Sequence, residues 1–214
     1  MFLLMNILSF DTATDACSAA LLVGDNVFSR FEIAPRQHAK LLLPMIQDLI
    51  HEAKINLSNI DVIAFGCGPG SFMGVRLATG IAQGLAFGLQ IPVIPVSTLQ
   101  VIAQAAYEKT QNKKIVSGWD ARMHEVYWGF YACDSYGLMQ AQQEEALCTL
   151  DKIDRDAFSA VGSTFAGNIF SDDTYPDAKA MLAIALSKYL RNEIVSPENA
   201  HPHYLRHHVV HNHK

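Results

Sequence analysis

The sequence has 214 residues, half of them hydrophobic and 17% charged, which is enough apolar material for one large domain or two small ones and excludes a disordered chain. The formal net charge of −5 excludes a general attraction to phosphate backbones, so in any nucleic-acid process a partner is expected to make most of the nucleic-acid contact. The longest apolar segments, Met1–Phe10 and Ile81–Val96, are broken by Asn6, Ser9, Gln83, Gln90 and glycines; a membrane span needs about 20 nearly unbroken apolar residues, and none is expected.

In chain order, the N-terminal apolar run has no basic segment before it, so it reads as a buried strand and not a secretory signal. That strand, Ile7–Asp11, ends in an acid. Ala16–Val23 and Val27–Ile33 follow as strands, joined by Gly24-Asp25-Asn26, residues that tolerate positive φ. The opening is therefore a β-meander. His38–Lys54 carries Leu42, Met45, Ile46, Leu49 and Ala53 on one helical stripe. Pro44 lies inside it and predicts either a kink or a start nearer Leu41. Ile60–Phe65 reads as a buried strand that runs into Gly66-Cys67-Gly68-Pro69-Gly70-Ser71.

Phe72–Leu89 reads as a helix with Gly80, Gly84 and Gly88 at four-residue spacing. Each interior glycine costs about 1 kcal/mol relative to alanine, so the line predicts close approach of another backbone. Tight packing of helix on sheet and a helix–helix interface between chains both answer to it. Ile91–Val96 reads as a strand and Thr98–Lys109 as a helix.

The pattern then restarts. A shift of 109 residues sets Ile7–Asp11 against Val116–Asp120, and Asp25 in the first turn meets Asp134. Glu125–Ala132 is strand-like opposite Ala16–Val23. Ala160-Val161-Gly162-Ser163 resembles the glycine exit at Ala64–Gly68, and Asp177–Leu190 reads as a closing helix. The expectation is an α/β chain with two duplicated βββαβα-type halves and mixed sheets. The lobes are expected at 1–109 and 110–214, divided at the polar stretch Lys109–Lys114, with the last residues packing back on the first lobe.

In such folds the first turn of each lobe faces a shared cleft. Asp11-Thr12-Ala13-Thr14 offers backbone N–H groups and hydroxyls that suit phosphate, and an acid there suits hydrated Mg²⁺. A structural turn capped by Asp and Thr explains the same residues. Gly66–Ser71 precedes a helix N-terminus, a generic anion site, yet it lacks the Gly-Lys-Ser/Thr of a P-loop and the third glycine of a dinucleotide site, and a glycine turn packed against a strand explains it equally well. Asp11, Thr12, Gly68, Gly70 and Ser71 are the candidates for a nucleotide or anion contact. Catalytic constellations are scarce, with neither G-x-S-x-G nor H-E-x-x-H present. His38 reads as a helix cap or interface residue, His51 as solvated, and His124 as a hairpin-turn residue near the cleft. Six of the nine histidines fall in His201–His213 and read as a surface tail. Cys67, flanked by glycines, reads as an accessible thiol without a neighbouring base. The four cysteines form no C-x-x-C pair, so free thiols in a reducing cytosol are expected.

Together these segments resemble one family. Asp11-Thr12-Ala13-Thr14-Asp15-Ala16-Cys17-Ser18, the run Gly66–Arg76, Pro95-Val96-Ser97-Thr98-Leu99, Asp120–Tyr127 and Pro202-His203-Tyr204-Leu205-Arg206 are similar, in order, to motifs of the bacterial TsaB (YeaZ) family. The resemblance implies a two-lobed actin-like (ASKHA) fold and a cytoplasmic role in making threonylcarbamoyladenosine in tRNAs that read codons beginning with adenine. It implies a catalytic paralogue, TsaD, an ATPase, TsaE, and homodimers through the first-lobe helices. His38, Leu41, Leu42, Met45, Arg76, Gly80 and Gly84 are the expected partner interface. TsaD carries an H-x-x-x-H metal motif whose positions here are Thr98 and Ile102, neither of which ligates metal as imidazole does. No cofactor is therefore expected to be required, and a nucleotide is expected, if anywhere, at the cleft or the partner interface. Cys67 and Met73 stand where the family commonly has Arg and Thr.

The leading expectation is a non-catalytic partner subunit that reaches tRNA only indirectly. The main alternative is an actin-like ATPase or phosphotransferase using Asp11 and Asp120. A metalloprotease is the weakest alternative, since the metal histidines are missing.

Overall fold

The structure, a computed structural model, describes residues 5–149, 152–153, 159–162 and 174–206. The exit at Ser163 and the histidines from His207 onward lie outside the described residues.

Strand β1 (Asn6–Asp11) is buried along almost its whole length, so its alternating side chains fill two cores. Leu8 and Phe10 face one apolar cluster and Ile7 faces another. It pairs antiparallel with β2 (Ala16–Val23), which pairs antiparallel with β3 (Asn26–Ile33). On its other side β1 runs parallel to β4 (Val62–Gly66), and β4 runs parallel to β5 (Val93–Val96). The first sheet has the order β3-β2-β1-β4-β5. β5 starts at Val93 and not at Ile91 because the Ile91 N–H turns back to Ala86 O (3.1 Å) and Pro92 has no N–H for the ladder.

Helices α1 (His38–Ala53) and α2 (Phe72–Leu89) cover one face of this sheet. α1 begins at His38 with Pro44 inside it, and not at Leu41. Pro44 and Lys40, whose carbonyl loses its intrahelical partner, are both exposed, so that carbonyl is not left unpaired in the core. α2 is long and apolar enough, by length and composition, to cross a membrane, and a third of it is buried in the fold. That corrects the expectation that no segment had this composition. Ala78, Ala82 and Ala86 press it onto the sheet.

The second sheet repeats the plan. β6 (Lys114–Arg122) pairs antiparallel with β7 (Glu125–Cys133) and parallel with β10 (Ser159–Gly162). β8 (Met139–Ala141) and β9 (Ala146–Thr149) both pair with β7. Thus β6 and β7 stand where β1 and β2 do, and β10 stands where β4 does. Among the described residues this half has no counterpart of α1 or β5.

The expected division at residue 109 is not a division of packing. α3 (Thr98–Thr110) precedes it, yet Leu99, Ile102, Ala103 and Ala106 share a core with Ile115, Trp119 and Tyr131 of the second sheet. α4 (Ala178–Leu190) follows it, capped by Asp177 (Oδ1 from Lys179 N–H, 2.8 Å), yet Met181 and Ala185 pack on Ile7 and Val62 of the first sheet. Each lobe lends a helix to the other, and α3 and α4 also pack together.

Candidate functional site

The turn after β1 and the glycine loop after β4 are pressed together. A Cβ on Gly66 would stand 1.8 Å from Asp11 Oδ2, one on Gly70 2.3 Å from Ala13 O, and one on Gly74 1.9 Å from Thr12 O. Glycine is required at these three places because backbone or carboxylate occupies the space. The Ser71 N–H donates to Ala13 O (2.6 Å), and Thr12 Oγ1 donates to Gly74 O (2.7 Å). The Asp11 carboxylate accepts from the Ala13 N–H (2.7 Å) and from Thr98 Oγ1 (2.9 Å).

Of the two readings of this turn, these bonds fit the structural one at Asp11 and Thr12. Asp11 and Thr12 are fully buried, and their polar atoms are engaged within the protein. Burial raises the Asp11 carboxyl from 3.8 to about 6, against the opposing bonds from Ala13 and Thr98. Asp11 is therefore closed off from the cleft, while Asp120, the other acid of the ATPase alternative, lies on the cleft wall. The equivalent acid, Asp120, is engaged by Arg122 through an ion pair (3.0 Å) and the Arg122 N–H (2.7 Å). Thr98 and Ile102, at the positions of the paralogue's metal motif, are both buried, one on Asp11 and one in the core. Among the described residues no three His, Cys, Asp or Glu side chains cluster to hold a metal ion. Cys67 is not the accessible thiol expected: it is buried, and that burial pushes its thiol up to about 12.

Gly70 and Ser71 do reach a cleft, of about 1330 Å³, between the lobes. Its walls are Thr14 and Asp15 of the first turn, the start of α2, the start of α1 at Arg36 and His38, the β6–β7 hairpin with Asp120, and the segment His203–Arg206. Ser71 caps α2 by accepting from the Gly74 N–H (3.4 Å). α1 has no side-chain cap, and neither helix has an acid in its first turn. Two positive helix ends therefore face the same space with Arg36. His38 Nε2 is buried without a partner. Gly68 lies behind this wall, with φ +99 and the His203 carbonyl 3.0 Å from where its Cβ would be.

The expected partner interface divides in two. Leu42 and Met45 are buried in the first-lobe core, and Leu41 is half-buried against it. The pattern was read correctly as amphipathic, but these residues form its inner face. The outer face of α1 shows Leu43 and Pro44. On α2, Arg76, Gly80 and Gly84 are exposed, and a Cβ on Gly80, Gly84 or Gly88 would meet nothing within 4 Å. The stripe is thus not explained by packing within the chain. It lies beside Phe72, Met73 and Phe87, which are 53%, 73% and 74% exposed. His51 is solvent-exposed as read, and His124 sits in the hairpin turn but off the cleft wall.

Two further features escaped the sequence reading. Glu145, in a polar stretch without a distinguishing signal, accepts from Ser97 Oγ and Tyr131 OH and lies 3.9 Å from His203 Nε2. Burial first, and then the Glu145 charge, push the Tyr131 phenol well above its ordinary value. Tyr204 and Arg206, seen only as part of a motif, bind residues far away in sequence, Arg76 and Glu125.

Two interlocked lobes, each built on a hairpin with a parallel third strand, define a member of the actin-like class. The sequence fits the family model described as TsaD: tRNA N6-adenosine threonylcarbamoyltransferase over residues 31–163. It is 38% identical to the tRNA threonylcarbamoyladenosine biosynthesis protein TsaB of Escherichia coli (strain K12), over 96% of each chain. It is equally similar to the protein of that name from Haemophilus influenzae, at 38% over 96% of this chain and 95% of the other. The structure titled YeaZ from Pseudomonas aeruginosa superposes with a TM-score of 0.88 at 41% identity, covering 94% of this chain and all of that one. This chain belongs to the TsaB family.

Proposed function

We propose that this chain is a non-catalytic partner subunit in tRNA threonylcarbamoyladenosine biosynthesis. It acts with TsaD and TsaE in the transfer of the threonylcarbamoyl group to the adenosine next to the anticodon of tRNAs reading codons that begin with adenine. The TsaB relatives support the pathway. The observation that carries the mode of action is the outer face of α2. Phe72, Arg76, Gly80 and Gly84 recur every fourth residue on an exposed stripe whose glycines touch nothing in the chain. Apolar side chains rimming small residues suit close docking of a second helix. TsaD and a second copy of this chain are the proposed occupants of that face, in the cytoplasm.

The chemistry of the interior supports the non-catalytic part of the reading. Asp11 is buried and bonded, and Thr98 and Ile102 offer no imidazole. The chain needs no cofactor of its own in this account. A nucleotide that entered the cleft would meet Gly70, Ser71, Arg36 and the Arg122-paired Asp120, and not Asp11. The net charge of −5 leaves the primary tRNA contact to TsaD.

A Cβ on Gly80 or Gly84 would meet nothing within 4 Å, so Leu there extends a branched side chain from the open stripe. Gly80→Leu and Gly84→Leu are expected to fold normally and to lose co-purification with TsaD. A folded variant that still co-purifies contradicts the interface.

A further inference from the structure

The described chain ends in a strap, residues 200–206, that leaves the first lobe and finishes on the second. Each part of its path is held. Ala200 is buried in the first-lobe core, and its carbonyl accepts from Gln83 Nε2 of α2 (2.9 Å). The His203 N–H donates to Cys67 O (2.7 Å) beside the glycine loop. The Tyr204 ring stacks on Phe72 (5.8 Å between centroids, 29° between planes). Its hydroxyl accepts from Arg76 Nε (2.9 Å), and the Arg76 guanidinium lies 3.7 Å over the Phe72 ring. Arg206 then crosses to the β6–β7 hairpin. Its Nη2 donates to Ala121 O (3.0 Å) and pairs with Glu125 (2.7 Å), and its Nη1 meets Met123 Sδ (3.0 Å).

The hairpin so held is strained. Arg122, Met123 and His124 have φ of 63°, 58° and 61°, three consecutive left-handed residues with none of them glycine. Each such residue costs about 1–2 kcal/mol and persists only where its surroundings fix it. Arg206 binds on both sides of this tip, at Ala121 and Glu125, and also contacts Met123 within it. Elsewhere the lobes are joined by α3 and α4, which pack on each other. The Tyr175 ring also bridges Phe31 of β3 and Trp119 of β6, and the strap is a further link, one that runs along the cleft wall.

We infer that residues 200–206 are a clasp that holds the two lobes closed at the cleft. Arg206 is its latch on the strained hairpin, and the Tyr204–Phe72–Arg76 stack is its anchor on α2. The anchor shares the α2 stripe of the docking face, so seating a partner and closing the lobes act on the same side chains. That last link rests on the docking reading. The clasp itself does not, and its test uses the isolated full chain.

The test is amide hydrogen exchange of the wild type, Arg206→Ala and Tyr204→Ala. Arg206→Ala removes the charge-assisted bonds on the tip, so the amides of Arg122–Val126 are expected to exchange at least about tenfold faster. The amides of Ile7–Phe10 in β1 report global stability and are expected to keep the wild-type rate. Tyr204→Ala is the sharper arm. Its ring and hydroxyl bind Phe72 and Arg76, not the hairpin, yet loss of the anchor is expected to speed exchange at the same tip. If Arg206→Ala also loosens β1, Arg206→Lys replaces it, keeping the charge near Glu125 without the fork, with an intermediate tip rate expected. Wild-type exchange at the tip in the Arg206 variants overturns the clasp. So does a tip loosened by the Arg206 variants but untouched by Tyr204→Ala, because Arg206 is then only a local contact.

Discussion

At the scale of single residues, Asp11 is the clearest case of an acid kept for structure. Its folded-state pKa, about 6, lies above that of an unfolded aspartate, about 3.9. Between about pH 4 and pH 6 the folded chain therefore keeps a proton that the unfolded chain has released. Stability from this group is fully present below about pH 4 and is lost as the pH rises to about 6, by about 3 kcal/mol for a fully buried carboxyl. Asp11→Asn removes the titration. The stability of the wild type relative to Asp11→Asn is expected to fall across that window in chemical denaturation at a series of pH values. An unchanged difference from pH 4 to pH 7 would show that the carboxyl has an ordinary pKa. The sequence supplied Asp11 as the end of a strand but could not tell a phosphate turn from a structural one. Both use Asp-Thr-x-Thr, and only the approach of Gly66, Gly70 and Gly74 decides between them.

At the scale of elements, α2 holds two kinds of glycine that look alike in sequence. Gly74 faces the Thr12 carbonyl, and Gly80 faces open space. Gly74→Ala is expected to lose about 2–4 kcal/mol, because backbone must move to admit the methyl group. Gly80→Ala is expected to gain about 1 kcal/mol from helix propensity alone. Urea unfolding of the two variants checks both signs, and similar effects from both would contradict the assigned surroundings. The helices and the longer strands were legible because apolar periods of 3.6 and 2 set them, and α2 came out with the expected ends; the short β8 and β9 carry too few residues to show a period. The inward face of α1 was legible as apolar, but Leu42 and Met45 were assigned to a partner when the sheet already buries them. An amphipathic stripe fixes that a face is covered, and not by what.

At the scale of the whole molecule, the duplication survives as sheet topology. Both halves place an antiparallel hairpin beside a parallel strand. What the repeat concealed is the exchange of α3 and α4 between lobes, since core contacts across the midpoint leave no local signal. A return of the last residues to the first lobe was expected, but their hold on the second was not legible, Arg206 lying 85 residues from the carbonyl it binds. The molecule that results has Asp11 and Asp120 engaged within the chain, a cleft bordered by a clasp, and an open helical face. Reconstitution of tRNA threonylcarbamoylation with TsaD and TsaE tests this account most directly, comparing wild type, Asp11→Asn, Gly84→Leu and no added chain. The account predicts modification with wild type and Asp11→Asn, and its loss with Gly84→Leu or without the chain. Full modification with a folded Gly84→Leu variant, or abolition by a folded Asp11→Asn variant, would contradict it.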